Sequence, residues 1–247
     1  MWVAALFILG AMVIGYLPAQ LLRRRYGPMQ PADTRAVASD VMSRIGALHG
    51  LILALVFASA HQGAQTFSND MTGEASAAIH VYFNAQRYGA PQLQSAVVAY
   101  LQTAADGDWS SLRERGKLSD EGWLAWRALI NAALTLEPEG RRQQVLADKI
   151  LSDVWRIEDL RQARGYEARE RVPVEFWIVG TVGLLLIATL LFVHEVTSLH
   201  QGIMAMYSGF TGLTLFLIYD MSHPFSGALS VGPEAFEVAL AMIRSGI

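Results

Sequence analysis

The chain contains no cysteine. That excludes disulfides, thiolate metal sites and cysteine nucleophiles, and it leaves the compartment undecided. Charge is scarce as well: 17% of the 247 residues are Asp, Glu, Lys or Arg, against about 25% in an ordinary soluble domain. Lysine is limited to Lys117 and Lys149, so arginine supplies nearly all the positive charge. That bias, with abundant alanine and glycine, points to a GC-rich bacterial genome. The formal net charge is −3, so no global positive field draws the chain to nucleic acid. It carries no P-loop, no GxGxxG, no internal repeat and no low-complexity tract. What it has in excess is apolar: 53% of its residues are hydrophobic.

The apolar residues fall into four runs. Trp2 to Leu22 has no charged side chain, and Arg23-Arg24-Arg25 follows directly. About 20 residues of helix cross the hydrocarbon core. A signal peptide carries its positive charge before the apolar run, not after it, so this run reads as an uncleaved membrane helix. The second run, Ile45 to Phe67, is interrupted by His49, Ser59, His61, Gln62 and Gln65. The third spans Phe176 to Val193, preceded by Arg169, Glu170, Arg171 and Pro173, and the fourth spans Gly202 to Tyr219. Only the polar stretch HEVTSLHQ separates the last two, which reads as an antiparallel hairpin.

Between the second and third runs the character changes. Charges of both signs are dense, and apolar residues recur at helical spacing: Trp123, Trp126, Ile130 and Leu134, then Leu146, Ile150, Val154 and Ile157. Arg161 ends that second stripe, where a long side chain can snorkel at an edge. Gly89 before Pro91, Ser119 before Asp120 and Glu121, and the LEPEGRR break punctuate helices. No strand alternation appears. Nothing breaks the chain from Ile45 to Arg87 except Gly63 and Gly73, nor from Arg141 to Arg171 except Gly165, so long helices are expected to continue out of the membrane.

The expected architecture is an all-α membrane protein of four transmembrane helices, with a helical extramembrane domain inserted between helices two and three. The boundaries are residues 1–67 for helices one and two with a basic loop at 23–44, 68–172 for the helical domain, 173–219 for the hairpin, and 220–247 for a polar turn and an interfacial C-terminal helix. The loop after helix one holds Arg23, Arg24, Arg25, Arg35 and Arg44 against Asp33 and Asp40. The positive-inside rule makes that loop cytoplasmic and puts the helical domain on the periplasmic side of a bacterial inner membrane.

Chemistry-bearing patterns are few. Asp220, Ser222 and His223 lie too close in sequence for a Ser–His–Asp relay and lack an oxyanion-hole glycine pattern. His194, Glu195 and His200 are metal-ligand types without HExxH spacing. Glu74, Glu137, Glu158 and Asp159 read as members of charged helix faces. No catalytic residue, metal or cofactor is therefore expected.

Two features are sharper. In helix two, His49, Ile52, Val56, Ser59 and Gly63 share one candidate pore face, while His61, Gln65, Ser68 and Thr72 form a polar stripe; ionisable groups at such depth usually face a bundle interior or water. The other reading of these polar groups is hydrogen bonding between helices inside a bundle. In helix four, Gly202, Ala205, Gly209 and Gly212 recur at spacings that let another helix approach closely. Packing on helix three, with Gly180 and Gly183 as the matching surface, is the expected use, and self-association is the other.

A family pattern emerges from GALHGLILALVFASA in helix two, the spaced tryptophans of DWSSL and GWLAW, the LEP break and the terminal HPFSGALSVGPEAF. In order and spacing they resemble the bestrophin-like family of bacterial membrane proteins, a domain family of unknown function, over about Arg44 to Leu240. Where the family often carries an acid two residues before the Pro of its PFxG motif, this chain has Ser222, and its acid is Asp220. The resemblance implies kinship with bestrophins, pentameric anion channels with four membrane helices, a helical region between helices two and three, and helix two lining the pore. Bestrophins keep that region and their termini in the cytosol, whereas the charge pattern here puts them outside.

Two functions follow as expectations. One is an oligomeric ion channel with helix two lining the pore. The other is a non-catalytic membrane scaffold that uses its helical domain, with Trp109, Trp123, Trp126 and Trp155, to dock other membrane proteins. The expected partners are the lipid bilayer and further copies of the chain, with no nucleic acid. Asp220, Pro224, Phe225 and Gly227 form a family-signature hinge in which Phe225 anchors at the membrane boundary. After it, Pro233 opens a short helix whose face is Phe236, Ala239, Leu240 and Ile243, lying on the membrane surface or against the base of the helical domain.

Overall fold

A computed structural model of the chain describes residues 2–27, 31–167, 172–194, 197–225, 227 and 230–246. Among these the ordered elements are helical, with no strand. The chain forms two compact units, Met1–Gly63 with Arg171–Ser222, and Ala64–Glu170 with His223–Ile247.

The first unit is built from α1 (Trp2–Tyr26), the start of α2 (Ala32–Tyr88), α7 (Val174–Leu190, continued by a 3-10 turn Leu191–Val193) and α8 (Ser198–Met221). All four helices are long and apolar enough to cross a membrane. Leu6, Leu9, Leu51, Leu55 and Phe210 point outward, as suits side chains whose solvent is hydrocarbon. The arginines 23–25 sit in the last turn of α1, where cations oppose the negative end of the helix dipole. The 23–44 segment, expected as a loop, is mostly helix, because α1 continues to Tyr26 and α2 begins at Ala32.

Small residues set the packing in this unit. A Cβ on Gly212 would lie 2.6 Å from the Phe7 carbonyl oxygen and 2.9 Å from Ala11 Cβ, and one on Gly209 would lie 2.8 Å from Met12. This part of α8 is therefore seated on α1, not on α7 as the sequence suggested, while Gly202 and Ala205 are exposed. The physical reason is that Ala11 and Gly15 give α1 its own small face, whereas the space beside Gly183 of α7 is filled by the His49 ring of α2.

The second unit holds the rest of α2, α3 (Pro91–Thr103), a π-helical turn (Ala104–Asp108), α4 (Trp109–Arg115), α5 (Asp120–Leu134), α6 (Arg141–Glu167) and α9 (Glu234–Ser245). Helix α2 runs unbroken through Gly63 and Gly73, as the absence of breakers requires; the end expected for α6 near Arg171 lies outside the described residues. Gly89 takes φ +91°, a left-handed conformation open to glycine, and Pro91 then starts α3. The N-cap Ser119 accepts from Gly122 N at 2.9 Å. Phe67, Val81, Leu93, Leu101, Leu129, Ile150 and Ile157 form the core, and Phe236, Ala239, Leu240 and Ile243 of α9 are buried in it. Phe225 is also buried, its ring 5.0 Å from Phe67 and 5.0 Å from Trp109. It is thus a core residue and not a membrane anchor. On α5 the buried side is Gly122, Leu129, Ile130 and Ala133, which leaves Leu134 of the expected stripe exposed.

Candidate functional site

Helix α2 presents three different faces between Ala47 and Gln65, a stretch whose residues up to Gly63 lie in the first unit. His49, Leu53 and Val56 are buried, with Ile52 half-buried beside them. Leu48, Leu51 and Leu55 are exposed and form a greasy side, on whose edge Ser59 falls. The third face is Ala47, Gly50, Ala54, Ala58, His61 and Gln65, all exposed, at spacings of three, four, four, three and four. At about 100° per residue these six stay within a narrow stripe. Of the face expected from sequence, His49 and Val56 are buried and Ile52 half-buried, while Ser59 and Gly63 are exposed, as are His61 and Gln65 of the polar stripe. His61 stacks on Phe57 with the ring planes 3° apart.

His49 makes a three-helix polar node. Its Nε2 lies 2.9 Å from the Gly180 carbonyl oxygen, which can only accept, so Nε2 carries the proton. In the neutral imidazole its Nδ1, 3.0 Å from Tyr207 Oη, accepts the tyrosine proton, and both nitrogens are satisfied. It fits because residue 183 lacks a side chain: a Cβ there would meet the imidazole, with Cγ at 2.9 Å.

The second unit contains a buried ion cluster that sequence reasoning missed. Arg164 donates from Nε and Nη2 to Glu74 at 3.1 and 2.9 Å, and from Nη2 to Asp108 at 3.1 Å. Arg161 donates to Asp108 through Nη1 and through Nη2, the latter at 3.2 Å. Tyr100 Oη donates to Glu74. Ser119 donates to Asp108 from its backbone nitrogen at 3.0 Å and its hydroxyl at 2.7 Å. Both guanidiniums lie over aromatic rings, Arg161 4.9 Å from the Trp123 centroid and Arg164 5.1 Å from that of Phe236. Glu74, Asp108, Tyr100, Arg161 and Arg164 are fully buried. Arg161 does not snorkel at an edge, and Glu74 does not belong to a charged face.

The cluster holds two cations and two anions, so it is formally neutral. The π-helical turn Ala104–Asp108 shifts the register of the chain there, and Asp108 ends it facing inward. Burial alone would raise the Asp108 pKa, but the Arg164 and Arg161 charges outweigh it and hold the carboxyl below its usual range. Burial, reinforced by Glu74, pushes the Tyr100 phenol well up. Such paired groups hold helices in place. The signal available in the sequence was spacing: Ile150, Val154, Ile157, Arg161 and Arg164 continue one apolar stripe, and Glu74 stands between Met71, Ala75 and Ala78.

Ser222 Oγ donates to the Ile218 carbonyl at 2.6 Å, at the end of α8. Asp220 is buried. Gly227 N donates to the His223 carbonyl at 3.0 Å, and Val231 N to the Pro224 carbonyl at 2.9 Å, which folds the hinge segment on itself. Among the described residues no group of three His, Asp or Glu side chains is placed to hold a metal; Glu195 lies outside them.

A family model described as the Bestrophin-like domain matches residues 6–236. No curated protein and no solved structure matched the chain.

Proposed function

The chain belongs to the bestrophin-like family, and from that premise we propose that this multi-pass membrane protein works as an oligomeric ion channel whose path is lined by α2. The observation that carries the reading is the exposed stripe Ala47, Gly50, Ala54, Ala58, His61 and Gln65. A spanning helix that faces lipid keeps large apolar side chains on its surface, as Leu48, Leu51 and Leu55 do. The stripe instead offers small side chains followed by polar ones, which suits a narrow wet axis shared by several copies. His49, Ile52 and Val56 support the wall from behind, and Ser59 lies toward its lipid side. Gly202 and Ala205, exposed at the start of α8, are candidates for contact between copies. No arginine or lysine occurs between Arg44 and Arg87, so selectivity in this reading comes from the donors of His61 and Gln65, not from fixed charge.

In this reading the segment from residue 64 to 170 is an extramembrane helical domain between the second and third spans, periplasmic in a bacterial inner membrane. Purified protein in liposomes tests the function. Ion flux that is lost on replacing Gln65 with Leu supports it; folded oligomer with no flux for any ion or voltage removes it.

A scaffold is the second reading. It is favoured by half-exposed Trp155, whose ring is 6.3 Å from that of Trp126, because partly exposed aromatics suit interface cores. Recovery of one membrane protein with the native chain, and its loss in a Trp155→Ala variant, distinguishes this reading from the first.

A further inference from the structure

We propose that a cavity in the first unit, between α1, the turn Leu191–His194 and the start of α8, binds the phosphate of an anionic phospholipid headgroup. The cavity has a volume of about 40 Å³, room for roughly three water-sized groups, enough for the two unesterified oxygens of a lipid phosphodiester. Its α1 wall is graded along the helix. Gly15, Tyr16 and Ala19 lie toward the middle of the span, Gln20 follows, and Arg23 ends it. Across from them, α8 supplies Met204 and then His200 and Gln201. One end is therefore mostly apolar, and the other cationic and donor-rich, as a phospholipid is apolar along its chains and anionic at its phosphate. No carboxylate is among the described lining residues.

The cationic end is held in place before any ligand arrives. Arg23 donates to the carbonyl oxygens of Leu191 at 3.1 Å, Phe192 at 3.3 Å and His194 at 2.6 Å, which fixes the guanidinium and leaves Nη1 outside those bonds. His194 is tied to α2. Ser39 gives its proton to the Arg35 carbonyl at 2.9 Å, so its Oγ accepts from His194 Nε2, also at 2.9 Å. His194 Nδ1 is then the bare nitrogen, buried without a hydrogen-bond partner among the described residues; as an acceptor it can meet a phosphate oxygen only by taking up a proton, which the anion's charge favours. Burial, then the charges of His200, Arg35 and Arg23, hold the His194 pKa below its ordinary value. Basic groups from α1, α2 and α8 thus converge on one point, and a bound phosphate relieves their mutual repulsion. A neutral lipid brings less net charge to that point than an anionic one.

The test is thermal melting of the full-length protein in detergent, with added phosphatidylglycerol, phosphatidylcholine or inorganic phosphate. The variants are His200→Ala and Gln201→Ala, both at exposed positions, with Arg25→Ala as a charge control outside the cavity. Phosphatidylglycerol is expected to raise the midpoint more than phosphatidylcholine. Its apparent affinity is expected to fall about tenfold in His200→Ala, the scale of one lost charge-assisted hydrogen bond. Stabilisation by inorganic phosphate as well assigns the site to phosphate in general; its absence assigns it to the lipid. Equal stabilisation by both lipids, or an equal loss in Arg25→Ala and His200→Ala, overturns the proposal. Because melting is read without ion flux, this result stands or falls separately from the channel reading.

Discussion

Arg164 holds Glu74 through two hydrogen bonds, Nε at 3.1 Å and Nη2 at 2.9 Å, with both side chains fully buried. This pair joins α6 to α2 inside the helical unit. Removing one partner leaves a charge in an apolar setting, and such losses run to about 3–5 kcal/mol. Glu74→Ala is therefore expected to lower the unfolding midpoint sharply. The double change Glu74→Leu with Arg164→Met is expected to recover much of it, since a buried pair often contributes little over well-packed apolar residues. A double variant no better than Glu74→Ala in chemical denaturation would show that the cluster stabilises by more than charge pairing.

Acid weakens the same cluster. Asp108 is held below the usual carboxylate range by Arg164 and Arg161, which outweigh burial. Its contribution is fully present above the unfolded carboxylate pKa of about 4 and is lost as pH falls through the lower folded value. Unfolding free energy measured against pH is expected to decline below about pH 4, with a shallower decline in Asp108→Asn. Tyr100, raised by burial and Glu74, gives the opposite limb: stability falls once pH passes the ordinary phenol pKa of about 10. Tyr100→Phe is expected to remove that alkaline loss.

The His49 node makes a prediction about steric order. A Cβ at residue 183 would run into a rigid imidazole, and overpacking of this kind costs about 1–3 kcal/mol. Gly183→Ala is expected to lower the melting midpoint in detergent, and His49→Ala in the same chain to abolish that effect. Equal damage from Gly183→Ala with and without His49 would separate the two residues.

Helix α9 belongs to the core of its unit. Phe236 is fully buried and lies under the Arg164 guanidinium. Phe236→Ala is expected to destabilise by about 3–5 kcal/mol, read from denaturant unfolding, and deletion of residues 233–247 to expose the unit to protease. Protection equal to that of the intact chain would return α9 to the membrane surface, one of the two places its amphipathic pattern suggested, the other being the base of the helical domain.

The sequence made the apolar helices legible because hydrocarbon imposes length and purity on each one separately. Ser119, Pro91 and the unbroken run of α2 were legible for a similar reason: caps and breakers act locally. Long-range pairing was not. Whether Gly209 and Gly212 meet α1 or α7 depends on which neighbour has its own small face free, and Gly183 was already committed to His49. Arg161 and Glu74 looked exposed because charge is normally solvated. Their burial depends on a cluster of six residues scattered from Glu74 to Arg164, and no single window contains them. The α2 faces were half legible, since periodicity defines which residues share a face but not which face the protomer buries.

The absence of cysteine gives the channel reading a direct test. Single cysteines at Ala54, Ala58, His61 and Gln65, and at Leu48, Leu51 and Leu55, can be introduced without a background thiol, and their effect on ion flux followed during exposure to a charged, membrane-impermeant thiol reagent. The account predicts that flux is blocked from the first set and unaffected from the leucine positions. Reaction at the leucine positions with block, or flux that no position on the Ala54–Gln65 stripe can block, would contradict it.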